Sequence, residues 1–438
     1  MSVSPLDSAI LGPLFGEPTL SALFHDAATI AAMLRVEGAL AEVQGAAGVI
    51  PQDAARAIAQ AATQARIDPA TLGPATARDG VPVPALLAAF RGTLPPEAAA
   101  FVHWGATSQD IIDTGLALRL RDALELIETS LARLLRALAG TALAHAETAM
   151  AARTYGQHAA PSSFGAVAAA WGRPLLRQRA RLGAHRAEVC VVSLSGAVGT
   201  AAHLGGPGIR AALAKRLGLG DPGADWHTAR DGIAGLGQWL AANAGLTAKI
   251  GRDMDRMCQS GRTILRLSQG GASSTMPQKS NPIGPAVLVA LAAFSTEQAS
   301  VLNGALAPSE ARDGGTWFAE WLSLPGLVVA AGRALTLAAD LVETAEPLTD
   351  AMAQELDGGL GLIDAEAITF ALARQMPRPE AQARVKHFVA EALASGRRLT
   401  DLVAEAGFQP QIDPKTRLGD APHAARAFAA DVTAALGG

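Results

Sequence analysis

Cysteine is nearly absent: Cys190 and Cys258 are the only two in 438 residues, with no CxxC, no CxxxH and no His/Cys cluster at metal-ligand spacing. A disulfide framework and a structural zinc are thereby disfavoured, and a chain this long buries enough surface to fold without either. Such cysteine usage suits a reducing cytoplasm. Positive charge is not in excess either. Thirty-six Lys and Arg against forty Asp and Glu leave a net charge of −4, which offers no field for nucleic acid phosphates, and no dense basic run with interleaved aromatics occurs. No stretch reaches eighteen apolar residues without a charge or a Gly/Pro break, and the opening MSVSPLDSAILGPLFGEP lacks the basic n-region of a secretory signal. The expectation is a soluble, cytoplasmic protein that partners neither nucleic acid nor membrane.

Aromatic side chains are scarce at 4%, with a single tyrosine, although half of the residues are apolar. Alanine and leucine fill that half. Alanine is the best helix former and lets helices approach closely. Runs of β-branched and aromatic residues are almost missing, RAEVCVVSLSG at 186–196 being the best strand candidate. The composition predicts an all-α protein.

The first helix is predicted over 26–47, capped by Asp26, with Ile30, Met33, Leu34, Leu40 and Val43 as its apolar stripe, and a second over 51–65. From Asp113 onward Leu120, Leu124, Ile127, Leu131, Leu134 and Leu138 recur at spacings of 4, 3, 4, 3 and 4, a heptad seam. With no proline before Pro161, this helix can run for about 30 residues, roughly 45 Å at 1.5 Å per residue. Further long helical patterns cover 162–188, 228–267, 283–305 and 324–345. Shorter helices follow beyond 350. We expect an N-terminal helical domain over 1–110, a central long-helix domain over 111–350 and a small C-terminal domain over 351–438. Small-residue stripes such as AVLVALAAF at 286–294 suggest a bundle continued across subunit boundaries. The alternative is a large monomeric bundle.

Three polar, glycine-containing segments interrupt this apolar helical sequence, and local rules tend to be broken where function requires it. The first is HWGATSQD at 103–110, in which Thr107 or Ser108 can cap the helix that follows and leave its N-terminus open to a carboxylate. The second, RTYGQHAAP at 153–161, holds the single tyrosine beside Arg153 and His158 and reads as a polar turn between helices. In the third, QGGASSTMPQKSNP at 269–282, glycine, two prolines and a run of hydroxyls preclude a helix. Ser273, Ser274, Lys279 and Asn281 there bring backbone N–H groups, a cation and proton carriers together.

The run Ser-Ser-Thr-Met-Pro-Gln-Lys-Ser-Asn-Pro resembles the signature loop of the fumarase/aspartase superfamily, and the other two segments resemble its remaining active-site regions, in the same order. The resemblance covers most of the chain. It implies an all-α, three-domain subunit whose long central helices assemble into a tetrameric helix bundle, each active site combining the three regions from three subunits. It also implies cofactor-free and metal-free chemistry at the β-carbon of a carboxylate, through an enediolate-like intermediate. By that resemblance Ser273 and Lys279 are catalytic. His103, Thr107, Ser108, Arg153, Thr154, Gln157, His158, Ser274, Met276, Asn281 and Arg312 are substrate-binding.

Departures from the pattern separate the branches. Tyr155 stands where the lyases acting on adenylosuccinate and argininosuccinate carry a histidine, and Trp226 and Trp321 stand where the adenylosuccinate enzymes carry nucleotide contacts. HWGATSQD, Trp226-His227-Thr228, Trp317 with Glu320-Trp321 and the N-terminal LFGEP stretch instead resemble the bacterial cycloisomerases that close 3-carboxy-cis,cis-muconate to a lactone in the protocatechuate branch of aromatic catabolism. The expected partner is a small polyanionic carboxylate. Ala272, in place of the usual glycine, bears on the stiffness of the loop and the placement of Ser273, and the uncharged Gln278 and Ser280 suggest an altered 3-substituent such as a sulfonate. An adenylosuccinate-type β-elimination lyase and a catalytically silent homologue remain the alternatives.

Overall fold

The computed structural model describes residues 3–268, 270–272, 275–409 and 417–437. It is an all-α protein. The expected long helices run Ser108–Ala144, Phe164–Val189, Asp231–Met257, Ile283–Gly304 and Gly314–Thr344, and the sheets among the described residues are three two-stranded pairs. The chain divides into two compact units. Met1–Ser130, Gln178–Thr247 and Val287–Leu335 form the first, and Leu131–Arg177, Ala248–Ala286 and Thr336–Gly438 the second.

In the first unit the helices Asp26–Ala46 and Gln52–Gln64 pack together over a core that includes Val36, Ile58, Leu86, Phe90 and Ile111, all fully buried. The C-terminal part of the second unit has its own core around Ile368, Leu372, Ala381, Leu399 and Val403. The heptad seam is buried along its whole length, Leu120, Leu124 and Ile127 in the first unit and Leu131, Leu134 and Leu138 in the second. Leucine at those spacings is what a long helix needs to bury one stripe continuously.

Several elements differ from the sequence expectation. The first helix starts at Asp26 itself, with His25 as N-cap and no side-chain cap. Residues 186–189 finish the Phe164–Val189 helix instead of opening a strand, and Val191 makes only one isolated bridge, to Gly220. The pattern at 228–267 yields a helix only over Asp231–Met257, ended by a turn in which Gly261 takes φ of 79°. The Gly314–Thr344 helix begins ten residues before the pattern at 324–345, because the Asp313 carboxylate accepts the Gly315 N–H at 2.9 Å and caps an otherwise weak Gly-Gly start. The second polar segment is a β-hairpin, described below.

Two helices, Ile283–Gly304 and Gly314–Thr344, are long and apolar enough to cross a membrane by length and composition, since their averages ride over the Gly and Pro breaks. Of the apolar window in the second, 72% is buried within the structure.

Close backbone contact fixes one junction in the second unit. A Cβ on Gly165 would stand 2.5 Å from the Ala142 carbonyl oxygen and 2.7 Å from that of His145, and backbone cannot yield as a side-chain tip can. Gly165→Ala is therefore expected to destabilise the protein by about 1–3 kcal/mol, the usual cost of overpacking. A thermal melt checks this, and an unchanged melting temperature would mean that the junction gives way freely.

Candidate active-site regions

In the first unit the helix Ser108–Ala144 begins where the HWGATSQD segment ends. Thr107 sits at its N-cap, and Asp110, three residues on, turns back to accept the Thr107 N–H at 3.0 Å, the reciprocal half of a capping box. Asp110 is fully buried and does more than cap. Its oxygens also accept the N–H groups of Ser195 (2.9 Å) and Gly196 (3.0 Å) and lie 2.9 Å from His227 Nε2. One carboxylate thus pins a loop and a histidine to the helix start, while the Thr107 and Ser108 side chains stay half-buried. Arg312, held at φ of 62°, donates from Nη2 to the carbonyl of Ala197 in that same loop at 2.6 Å, and its Nη1 is buried without a partner. His103, four residues before Thr107, has Nδ1 2.7 Å from the buried Glu37 carboxylate. Among the predicted residues of this unit, Arg312, Thr107 and Ser108 therefore meet around one loop and one helix start.

One turn further along that helix, Asp113 enters a buried charge cluster. Arg230 donates to Glu320 through Nε (2.8 Å) and Nη2 (2.5 Å), and to Asp113 through Nη1 (2.8 Å). Its guanidinium lies 4.8 Å from the Trp226 ring, and Gln109 and Trp317 donate to Asp113 at 3.2 and 3.3 Å. Burial opposes the Arg230 charge, but Asp113 and Glu320 outweigh it and hold the guanidinium protonated; burial pushes the Glu320 carboxyl up, with Arg230 pulling the other way. The indole of Trp226 occupies Arg230, and that of Trp321 stacks on Trp317 and Phe318. His227 is fully buried between Asp110, 2.9 Å from Nε2, and Asp225, 3.2 Å from Nδ1, although Nδ1 makes no hydrogen bond among the described residues.

In the second unit, Ala149–Thr154 and Gln157–Ser163 pair antiparallel, Thr154 facing Gln157 across a two-residue loop. Tyr155 and Gly156 form that loop with φ of 52° and 76°, and two positive φ values define the turn that matches strand twist. Tyr155 is wholly exposed at the tip. Arg153 donates to Glu355 at 2.5 Å and to the Gly156 carbonyl at 3.0 Å, and its Nη2 lies 2.5 Å from His158 Nε2. Arg262 approaches the same Glu355 oxygen at 3.6 Å. The hairpin thus brings together Arg153, Thr154, Gln157 and His158, with a glutamate that anchors the two basic side chains.

The signature loop is a second small hairpin, with Gly271 opposite Asn281 and Ala272 opposite Ser280. Met276 and Lys279 share a turn, the Lys279 N–H donating to the Met276 carbonyl at 3.0 Å, and both side chains are exposed. Ser273 and Ser274 lie outside the described residues. Burial pushes both cysteine thiols, each free, up to about 11, which leaves them poor nucleophiles. Among the described residues no group of three His, Cys, Asp or Glu side chains is placed to hold a metal ion.

Sequence reasoning passed over Glu37, Asp110, Asp113 and Glu355. Two of these left a trace. Glu37 and Gln44 fall on the 33, 37, 40, 44 face of an otherwise apolar helix, and Asp110 occupies the third helical position after a Thr.

A lyase family model matches residues 13–294. The chain therefore belongs to this lyase family, as the resemblance of its loop to the fumarase/aspartase superfamily implies. Among its relatives, a 3-carboxy-cis,cis-muconate cycloisomerase of Bradyrhizobium diazoefficiens is 37% identical over 91% of this chain and 90% of its own length. A nitrosuccinate lyase of Streptomyces davaonensis is 34% identical over 95% and 93%. The crystal structure of the 3-carboxy-cis,cis-muconate lactonizing enzyme from Pseudomonas putida superposes with a TM-score of 0.91 at 33% identity, covering 98% of this chain and all of the other.

Proposed function

We propose that the protein is a cofactor-free cycloisomerase, an intramolecular lyase, that closes a 3-substituted cis,cis-muconate to its lactone in the cytoplasm. The observation that carries this reading is the hairpin tip. Tyr155 takes the place where elimination lyases of the superfamily carry histidine, and His158 is occupied by Arg153 and Glu355. Lactonisation fits that lack. The nucleophile is the substrate's own carboxylate, ionised at neutral pH with an ordinary pKa of about 4, so no protein base is needed at oxygen. Its oxygen forms a bond to the β-carbon, the double-bond electrons move into the other carboxylate as an enediolate, and a proton is delivered to the α-carbon. In this reading Ser273 delivers the proton, while Lys279, Asn281 and loop N–H groups stabilise the enediolate. Thr107, Ser108, His103, Arg312, Arg153, Thr154, Gln157, His158, Ser274 and Met276 hold the remaining substrate groups.

The reading includes a homotetramer with shared sites. Phe294 and Val301 on one long helix, and Phe318 and Leu322 on another, are exposed apolar residues that a partner subunit would cover. The 3-substituent is a carboxylate or a sulfonate, the latter suggested by Gln278 and Ser280 in the loop.

An ultraviolet assay tests the function. Diene absorbance should fall with 3-carboxy- or 3-sulfo-cis,cis-muconate, and adenylosuccinate should release no fumarate. Turnover of adenylosuccinate with neither muconate consumed would reverse the assignment.

A further inference from the structure

His103 is one of five non-glycine residues with positive φ among the described residues, at 65°. Non-glycine residues are uncommon in this region and persist there where their surroundings dictate it. Here the surroundings do so from three sides. Gln44 Nε2 donates to the Trp104 carbonyl at 2.9 Å. Gly105 lies so near the His203 carbonyl that a Cβ would come within 2.7 Å. The third tether is Glu37, only 1% exposed, whose Oε1 meets His103 Nδ1 at 2.7 Å and whose Oε2 has no partner among the described residues. No other charged group of the described residues pairs with this carboxylate. A buried carboxylate is costly unless a hydrogen-bonded cation answers it.

The contrast with His227 is informative. His227 is fully buried, with Nε2 2.9 Å from Asp110 and Nδ1 3.2 Å from Asp225, so carboxylates flank its ring on both sides, although Nδ1 makes no hydrogen bond among the described residues. His103 has a carboxylate on one side only, its ring is 15% exposed, and its Nε2 has no hydrogen-bond partner among the described residues. It stands at the mouth of the segment that leads into the Ser108–Ala144 helix start.

We propose that Glu37 is a positioning residue that presents His103 Nε2 as an anion-binding donor for a carboxylate of the substrate. In the complex the ring lies between two carboxylates, and both of its nitrogens donate. The pair thus supplies an anion-binding donor to a chain with no excess of positive charge. This inference rests on the reading of the site as one for a polycarboxylate, not on the identity of the muconate.

Two measurements test it. In the muconate assay Glu37→Gln and His103→Gln should each raise KM about tenfold or more, the loss of one hydrogen bond to a charged group, with kcat within about threefold. The double variant should be no worse than the poorer single one, because the two side chains act as one unit. Calorimetric binding of tricarballylate, a saturated tricarboxylate, should weaken to the same extent. If the wild type turns over no muconate, the function assigned above fails while the tricarballylate titration still decides the role of the pair. Unchanged KM in either variant, additive losses, kcat falling together with the melting temperature, or no tricarballylate binding by the wild type would each overturn the proposal. Should Glu37→Gln not fold, His103→Gln alone must still raise KM at an unaltered melting temperature.

Discussion

Arg230→Met is expected to cost about 3–5 kcal/mol of stability, because removing one partner leaves uncompensated charge in the interior. Two carboxylates, Asp113 and Glu320, share this guanidinium at 2.5–2.8 Å, and all three side chains are at most 3% exposed. Solvent screening does not soften such a loss. Methionine also ends the stacking on Trp226. Adding Glu320→Gln to the variant should recover part of the loss by removing one buried negative charge. The pH dependence has a definite sign. Burial already holds the Glu320 carboxyl above its ordinary value, and without Arg230 nothing opposes that. The folded state then keeps a proton that the unfolded state releases, so stability falls as pH rises from the ordinary carboxylate range through the raised value. The melting temperature of Arg230→Met should drop more steeply than that of the wild type as pH rises above the ordinary carboxylate range. A variant that melts like the wild type at pH 8 would show that the cluster contributes little, and parallel pH curves would show that Glu320 does not titrate as argued.

That cluster also shows where the sequence stops being legible. Asp113, Arg230 and Glu320 are separated by 117 and 90 residues; no local periodicity pairs such distant charges, and each alone reads as an ordinary helix charge. The long helices were legible for the opposite reason. Their information is local, a leucine every three or four residues, and the buried seam from Leu120 to Leu138 follows directly. The 153–158 hairpin lies between these cases. AMAART and QHAAPSS carry almost no β-branched or aromatic residues, so nothing in their propensities suggests strands. They pair because two positive φ values close the turn and Arg153 is tied to Glu355, over two hundred residues away. Of the site, the residue types and their order were readable from the loop motif, whereas their supports, Asp110 beneath Thr107 and Glu37 behind His103, required the fold.

Ser273→Ala should lower kcat by at least about a hundredfold, the usual worth of a positioned proton donor, with little change in KM or melting temperature. Carbon–oxygen bond formation uses a nucleophile that the substrate brings already ionised, so the slow requirement is a proton at the α-carbon just as negative charge gathers on the neighbouring carboxylate. A serine hydroxyl is too weak an acid to give up that proton unaided. It becomes adequate only if the alkoxide left behind is stabilised, which in the proposed reading is the task of the Lys279 ammonium. Lys279→Met should then cost both kcat and KM, since the lysine serves the bound carboxylate and the departing proton alike, while Ser273→Ala should cost kcat alone. The two variants together should lose little more than Lys279→Met does, because a donor without its stabilising cation has little left to lose. Near wild-type kcat in Ser273→Ala would assign the proton to another group. A rise in KM with kcat unchanged would instead make Ser273 a binding residue and assign the proton to another donor.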